Sequence, residues 1–139
     1  MGSAIIVVNA LPYAFTVTGG GSYCPGGTGV VVGLSGTTSS TTYQLYLSGS
    51  PVGSPVTGIG AAISFGLQTA TGTYTVVGTS TITGCSNTMS GSVTVSIAPI
   101  PTAFTVTGSG GYCAGGSGVP VYLSGSSTGV QYQLYRGAT

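Results

Sequence analysis

The sequence predicts an all-β protein: a β-sandwich of about seven strands per repeat, strung in a tandem beads-on-a-string array. Three observations predict it. Apolar residues alternate with period two and never with a helical period, clusters of Gly, Ser and Pro interrupt the alternation at short intervals, and the chain repeats itself at an offset of 89 residues.

Taken in order, Phe15 and Val17 alternate with Thr16 and Thr18, and Val30, Val32 and Leu34 alternate with Val31 and Gly33. Tyr43, Leu45 and Leu47 follow the same rule, as do Ile63, Phe65 and Leu67, Tyr74 and Val76, and Val93, Val95 and Ile97. Each set puts every second side chain on one face, as a strand with one buried side requires. Turn clusters at 19–22, 35–41, 48–55, 68–72 and 84–91 separate them, and a short edge strand around 52–56 completes the set. Seven strands in about 90 residues is the size and rhythm of an immunoglobulin-like sandwich. Gly72-Thr73-Tyr74-Thr75-Val76 adds the pattern of a tyrosine corner, in which Tyr folds back to hydrogen-bond the preceding turn. Val76 stands where antibody domains carry their core cysteine, so the buried inter-sheet disulfide is not expected.

The repeat is ungapped. Ala14-Phe15-Thr16-Val17-Thr18-Gly19 recurs as Ala103-Phe104-Thr105-Val106-Thr107-Gly108, Tyr23-Cys24 as Tyr112-Cys113, and Tyr43-Gln44-Leu45-Tyr46 as Tyr132-Gln133-Leu134-Tyr135. Of the 33 positions from 14 to 46, 21 are identical to their copies, which chance does not produce. Residues 3–12 lie over 92–101 in the same alignment. The expected organisation is therefore the last strand and linker of a preceding repeat at 1–12, one complete repeat at 13–101, and the first half of the next at 102–139.

Composition excludes whole classes of function. The chain has no Asp, Glu, His or Lys and a single basic residue, Arg136. General acid–base chemistry lacks its usual groups, and a thiol nucleophile lacks a base or positive field to activate it. Calcium and magnesium sites need carboxylates, and zinc needs about four Cys or His ligands. No enzyme activity, cofactor or metal is expected. One Arg cannot neutralise a run of phosphates, so nucleic acid is not an expected partner, and no apolar run reaches the ~20 residues of a membrane span.

The three cysteines resolve into one pair per repeat. Cys24 and Cys85 belong to one repeat, and Cys113 copies Cys24, so its partner falls at a position beyond this chain. A pair per repeat points to an oxidising, extracellular setting. Cys24 precedes the second strand and Cys85 lies between the sixth and seventh, turns that an ideal sandwich puts at opposite ends. The preferred expectation is a Cys24–Cys85 bond, reached through an extended loop at 19–29. The alternatives are a bond from Cys24 to the following repeat's copy of Cys85, and two free buried thiols.

A chain with net charge +1 needs another way to stay solvated. Ser and Thr make up roughly three residues in ten and supply hydroxyls that O-linked sugars extend. The candidate acceptors are Thr37, Thr38, Ser39, Ser40, Thr41 and Thr42 in an expected exposed turn, with Ser126, Ser127 and Thr128 overlapping its copy. Bare hydroxyls hydrogen-bonded to water are the alternative.

Pro101-Thr102-Ala103-Phe104-Thr105-Val106-Thr107-Gly108, Tyr112-Cys113-Ala114-Gly115-Gly116, Gly72-Thr73-Tyr74-Thr75-Val76, Gly84-Cys85 and Gly91-Ser92-Val93-Thr94-Val95 resemble, in that family order, the immunoglobulin-like repeats of very large secreted surface proteins of Bacteroidota-type bacteria, gliding adhesins included. The resemblance implies an outer-surface or released filament of many similar domains. Those families usually carry some Asp and Lys, which this chain lacks, and neither Asn9 nor Asn87 begins an Asn-X-Ser/Thr sequon. The leading expectation is thus a structural stalk or fibre whose partners are neighbouring repeats, copies of itself and covalent glycans. Two other functions compete with it. One is an adhesive module stacking sugars on Tyr13, Tyr23, Tyr46 or Tyr122; the other is ice binding through Thr-X-Thr triplets such as 16–18, 73–75, 79–81, 81–83 and 105–107.

Overall fold

A computed structural model of the chain describes residues 1–137. The chain divides into two compact units, Met1–Ala98 and Pro99–Thr139. The described residues are all-β with no helix.

The first unit holds nine strands in two sheets that share one core. β1 (Val17–Gly19), β3 (Val30–Leu34) and β6 (Ile63–Gln68) form a three-stranded sheet in the order β1-β3-β6. β2 (Gly21–Tyr23), β4 (Thr41–Leu47), β5 (Ser50–Thr57), β7 (Gly72–Ser80), β8 (Ser86–Thr88) and β9 (Val93–Ile97) form the other, in the order β2-β9-β7-β4-β5 with β8 also on β7. The fold is that of a β-sandwich. Val17, Val32 and Leu34 face Tyr43, Leu45, Tyr74, Val76 and Val95 across the gap, all buried, with Phe15, Val30, Leu47, Ile63, Phe65 and Val93 packed around them. These are the inward positions of the period-two alternation. Seven such side chains are buried nearly completely, and each contributes about 1.5–3 kcal/mol to folding.

Nine strands rather than about seven arise from two interruptions. The first strand changes sheets: β1 pairs β3 antiparallel, and after Gly20 the chain runs on as β2, parallel to β9. Gly20 makes this possible at φ +75°, and a Cβ there would sit 2.7 Å from the Val93 side chain. The last strand is also broken, with β8 and β9 pairing successive stretches of β7 on either side of Met89. Met89 falls within the expected 84–91 turn, yet it is a core residue held by a 2.8 Å bond from its N–H to the Val76 carbonyl. Leu67 is exposed, in contrast to its period-two place. The strand turns at Gly66, whose φ is +81°, and the alternation is lost there.

The edges carry little charge but are guarded by other means. β5 is an outer strand and contains Pro51, Gly53 and Pro55. Proline offers no N–H to an incoming strand. A register shift against β4 is filled by Gln44, whose Nε2 donates to the carbonyls of Leu45 and Val52, both at 2.9 Å.

Residues 1–12 form no strand, contrary to the expected last strand of a preceding repeat, and Ile5, Ile6 and Val8 are exposed. The matching segment, β9, is held by β7 and β2, and this chain has no upstream counterpart of either. Part of the second unit matches part of the first. β10 (Val106–Thr107) pairs β11 (Tyr122–Leu123) in the register of Val17 with Leu34, shifted by the repeat offset. Thr105 N–H donates to Ser124 Oγ at 2.9 Å as Thr16 N–H does to Ser35 Oγ at 3.0 Å. Ser127 N–H meets Tyr132 Oη at 2.9 Å as Thr38 N–H meets Tyr43 Oη at the same distance. Tyr132–Tyr135 do not form the strand their copies form in β4, because the second unit has no counterpart of β7. Val106, Leu123, Tyr132 and Leu134 instead line an open cleft of about 370 Å³.

Candidate functional site

The path of the chain distinguishes the two ends of the first unit. β9 runs toward the same pole as β2, and the chain leaves there: Ala98 N–H donates to the Tyr23 carbonyl at 2.8 Å. This distal pole also holds Cys24, whose carbonyl closes a turn with Gly27 N–H at 2.9 Å. The Tyr23 hydroxyl donates to the Thr69 carbonyl, and Tyr74 Oη to the Ala70 carbonyl at 2.8 Å. The tyrosine-corner hydrogen bond thus ties the loop beside Cys24 to the core. Tyr74 is fully buried, and burial first, with the neighbouring Tyr23 phenol second, pushes its hydroxyl pKa up.

The chain comes in at the opposite, proximal pole. Asn87 Nδ2 donates to the Pro12 carbonyl at 2.8 Å, and Tyr13 packs edge-on against Phe15 with ring centres 4.9 Å apart. The 80–85 turn lies here and is closely tied. Ser80 N–H donates to the Cys85 carbonyl at 2.8 Å, Gly84 N–H to the Ser80 carbonyl at 2.9 Å, and Thr81 N–H to the Ser40 carbonyl at 2.9 Å. Leu11, Pro12, Tyr13, Ser80, Ile82 and Thr83 line a shallow groove of about 300 Å³ at this pole.

The preferred pairing of Cys24 with Cys85 is corrected by this register. All three cysteines are unbonded, Cys24 and Cys113 exposed and Cys85 half-buried. Tyr23 stands opposite Ile97 beyond the Gly72 end of β7, whereas Ser86 stands opposite Thr79 at its other end. At 3.2–3.4 Å per residue the two cysteines are roughly 30 Å apart, and a disulfide needs Cα atoms within about 7 Å. The 19–29 segment does not reach across, because residues 21–23 are committed to β2.

The hydroxyl cluster is also split. Thr37 and Thr41 are buried, so they are not accessible acceptors. Thr37 Oγ1 donates to the Ala61 carbonyl at 2.6 Å and accepts from Ile59 N–H at 3.0 Å, pinning the 58–62 segment. Thr41 and Thr42 open β4 rather than extending a turn, and Thr42 Oγ1 points to the Thr79 carbonyl at 3.4 Å. Thr38 and Ser39 are exposed, Ser40 is half-buried, and in the second unit Ser126 and Thr128 are exposed with Ser127 half-buried. Residues 16–18 and 73–75 of the Thr-X-Thr triplets start from different sheets, so they share no flat array. Of the tyrosines, Tyr13 and Tyr122 are exposed while Tyr23 and Tyr46 are half-buried.

No protein-family model, curated protein or solved structure matches the chain.

Proposed function

We propose that this chain is a structural repeat of an extracellular filament or stalk, built from tandem immunoglobulin-like sandwiches. The observation that carries the reading is the path of the chain through the first unit. It comes in at Pro12, bound by Asn87, and goes out at Ala98, bound by Tyr23, so the two linkers leave from opposite ends of the same sheet. A domain threaded pole to pole passes tension along its long axis, whereas one with both termini at one end hangs as a side branch.

Supporting the immunoglobulin-like reading, β1-β3-β6 corresponds to strands A, B and E, and β2-β9-β7-β4-β5 to A′, G, F, C and C′. The Tyr74 hydrogen bond to Ala70 belongs to the same pattern. The repeated register and side-chain bonds of the second unit support the tandem array. The near absence of charge and the pair of cysteines per repeat suit an oxidising exterior in which self-association is the outcome. Sugars on exposed hydroxyls, Thr38 and Ser39 first, would keep the shaft hydrated.

Electron microscopy of native material tests the reading. The expected result is a thin beaded filament with an axial period of roughly 40 Å, one nine-residue strand plus a short linker. Compact particles with no axial repeat would overturn it.

A further inference from the structure

We infer that each repeat is joined to the next by a disulfide as well as by its linker: Cys85 bonds the cysteine at the Cys24 position of the preceding repeat. This deepens the tandem reading and rests on it.

The poles supply the geometry. Every repeat presents one thiol at each end, Cys24 where the chain leaves and Cys85 where it comes in. A rigid sheet holds them roughly 30 Å apart within one repeat, so neither can satisfy the other. Between repeats the linker is short. Asn9 stands at the position of Ala98, the residue that Tyr23 anchors beside Cys24, and Pro12 is anchored by Asn87, two residues from Cys85. The two anchors are three positions apart, a reach of at most about 11 Å. The linker therefore holds the distal pole of one repeat, with its exposed Cys24 counterpart, close to the loop that carries Cys85.

Both thiols are on loops fixed by hydrogen bonds rather than on free ends. Cys85 is held through its carbonyl by Ser80 and through its N–H by Thr83 Oγ1 at 3.3 Å. Cys24 lies in the turn closed by Gly27, whose place a Cβ would crowd at 2.9 Å from the Cys24 carbonyl. Gly116 repeats that close approach to the Cys113 carbonyl at the same distance, so the loop shape recurs with the cysteine. Each repeat has one thiol for each neighbour, and the pairing closes along the whole array with none left over between repeats.

The reaction is thiol–disulfide exchange with a disulfide-bearing oxidant. The two Sγ–H bonds break, one Sγ–Sγ bond forms, and two protons and two electrons pass to the oxidant, which leaves as a dithiol. With two covalent connections, rotation about the linker stops and the array stiffens.

The test uses the native protein. Free thiols are alkylated, the linkers are cleaved by a protease acting within residues 98–102 and their equivalents, and products are sized with and without reductant. Multi-repeat species that collapse to single repeats only on reduction, with Cys24 and Cys85 peptides joined, are expected. Single repeats released without reductant, alkylated cysteines, or a bond between two Cys24 equivalents would overturn the inter-repeat bond while leaving the array intact. An intact mass corresponding to only one repeat would overturn the array reading itself.

Discussion

The hydroxyl of Tyr74 donates a 2.8 Å hydrogen bond to the Ala70 carbonyl from a ring with no solvent exposure. One side chain thus fills the centre of the core and fixes the loop at the distal pole. The loop cannot move without either breaking that bond or opening the core.

Tyr74→Phe keeps the ring and removes the bond. The expected loss is about 0.5–1.5 kcal/mol, since the Ala70 residue is exposed and water can replace the lost donor at its carbonyl. Chemical denaturation of the full chain measures it, and an unchanged midpoint would show that the bond contributes nothing.

Stability is also expected to fall at high pH. The Tyr74 pKa is raised on folding, so the unfolded chain releases this proton first and binds fewer protons than the folded one. The contribution is fully present below the unfolded value of about 10 and is lost as pH rises toward the folded value. Thermal melts between pH 8 and 11 should show the decline, and Tyr74→Phe should show less of it.

Gly33→Ala should destabilise the first unit. A Cβ there would lie 2.6 Å from the Ile63 carbonyl oxygen, at the register shift where β3 meets β6. Backbone must move to admit it, at a cost of about 1–3 kcal/mol. The second unit carries Tyr122 at the matching position. A thermal melt of the variant decides the point, and an unshifted midpoint would contradict the close approach.

Thr37→Val should cost about 1–3 kcal/mol, because the Ile59 N–H loses its acceptor and the Ala61 carbonyl its donor in a part-buried site. If sugars are present in native material, glycopeptide mapping should place them at Thr38 or Ser39 and never at Thr37 or Thr41. A bare mass at residues 37–42 would end the glycan proposal there, and a sugar on Thr37 would contradict the burial.

Period-two alternation and turn residues determined the all-β class and most inward faces, Leu67 and Ile97 excepted, because each depends on neighbours along the chain, and the 89-residue offset is read from the chain alone. That the chain carries no Asp, Glu, His or Lys is likewise read from the sequence alone. Tertiary structure decided what depends on contacts between distant segments. Met89 looked like part of a turn and is core, because a broken last strand returns it to β7. Thr37 and Thr41 looked like surface hydroxyls and are buried, because the 58–61 segment and β7 close over them. Cys24 and Cys85 are separated by the register of β2 on β9 and of β8 on β7, and no spacing along the chain encodes that register. A linear pattern specifies which face a residue takes; which residue lies across from it is set by the sheets closing on a shared core.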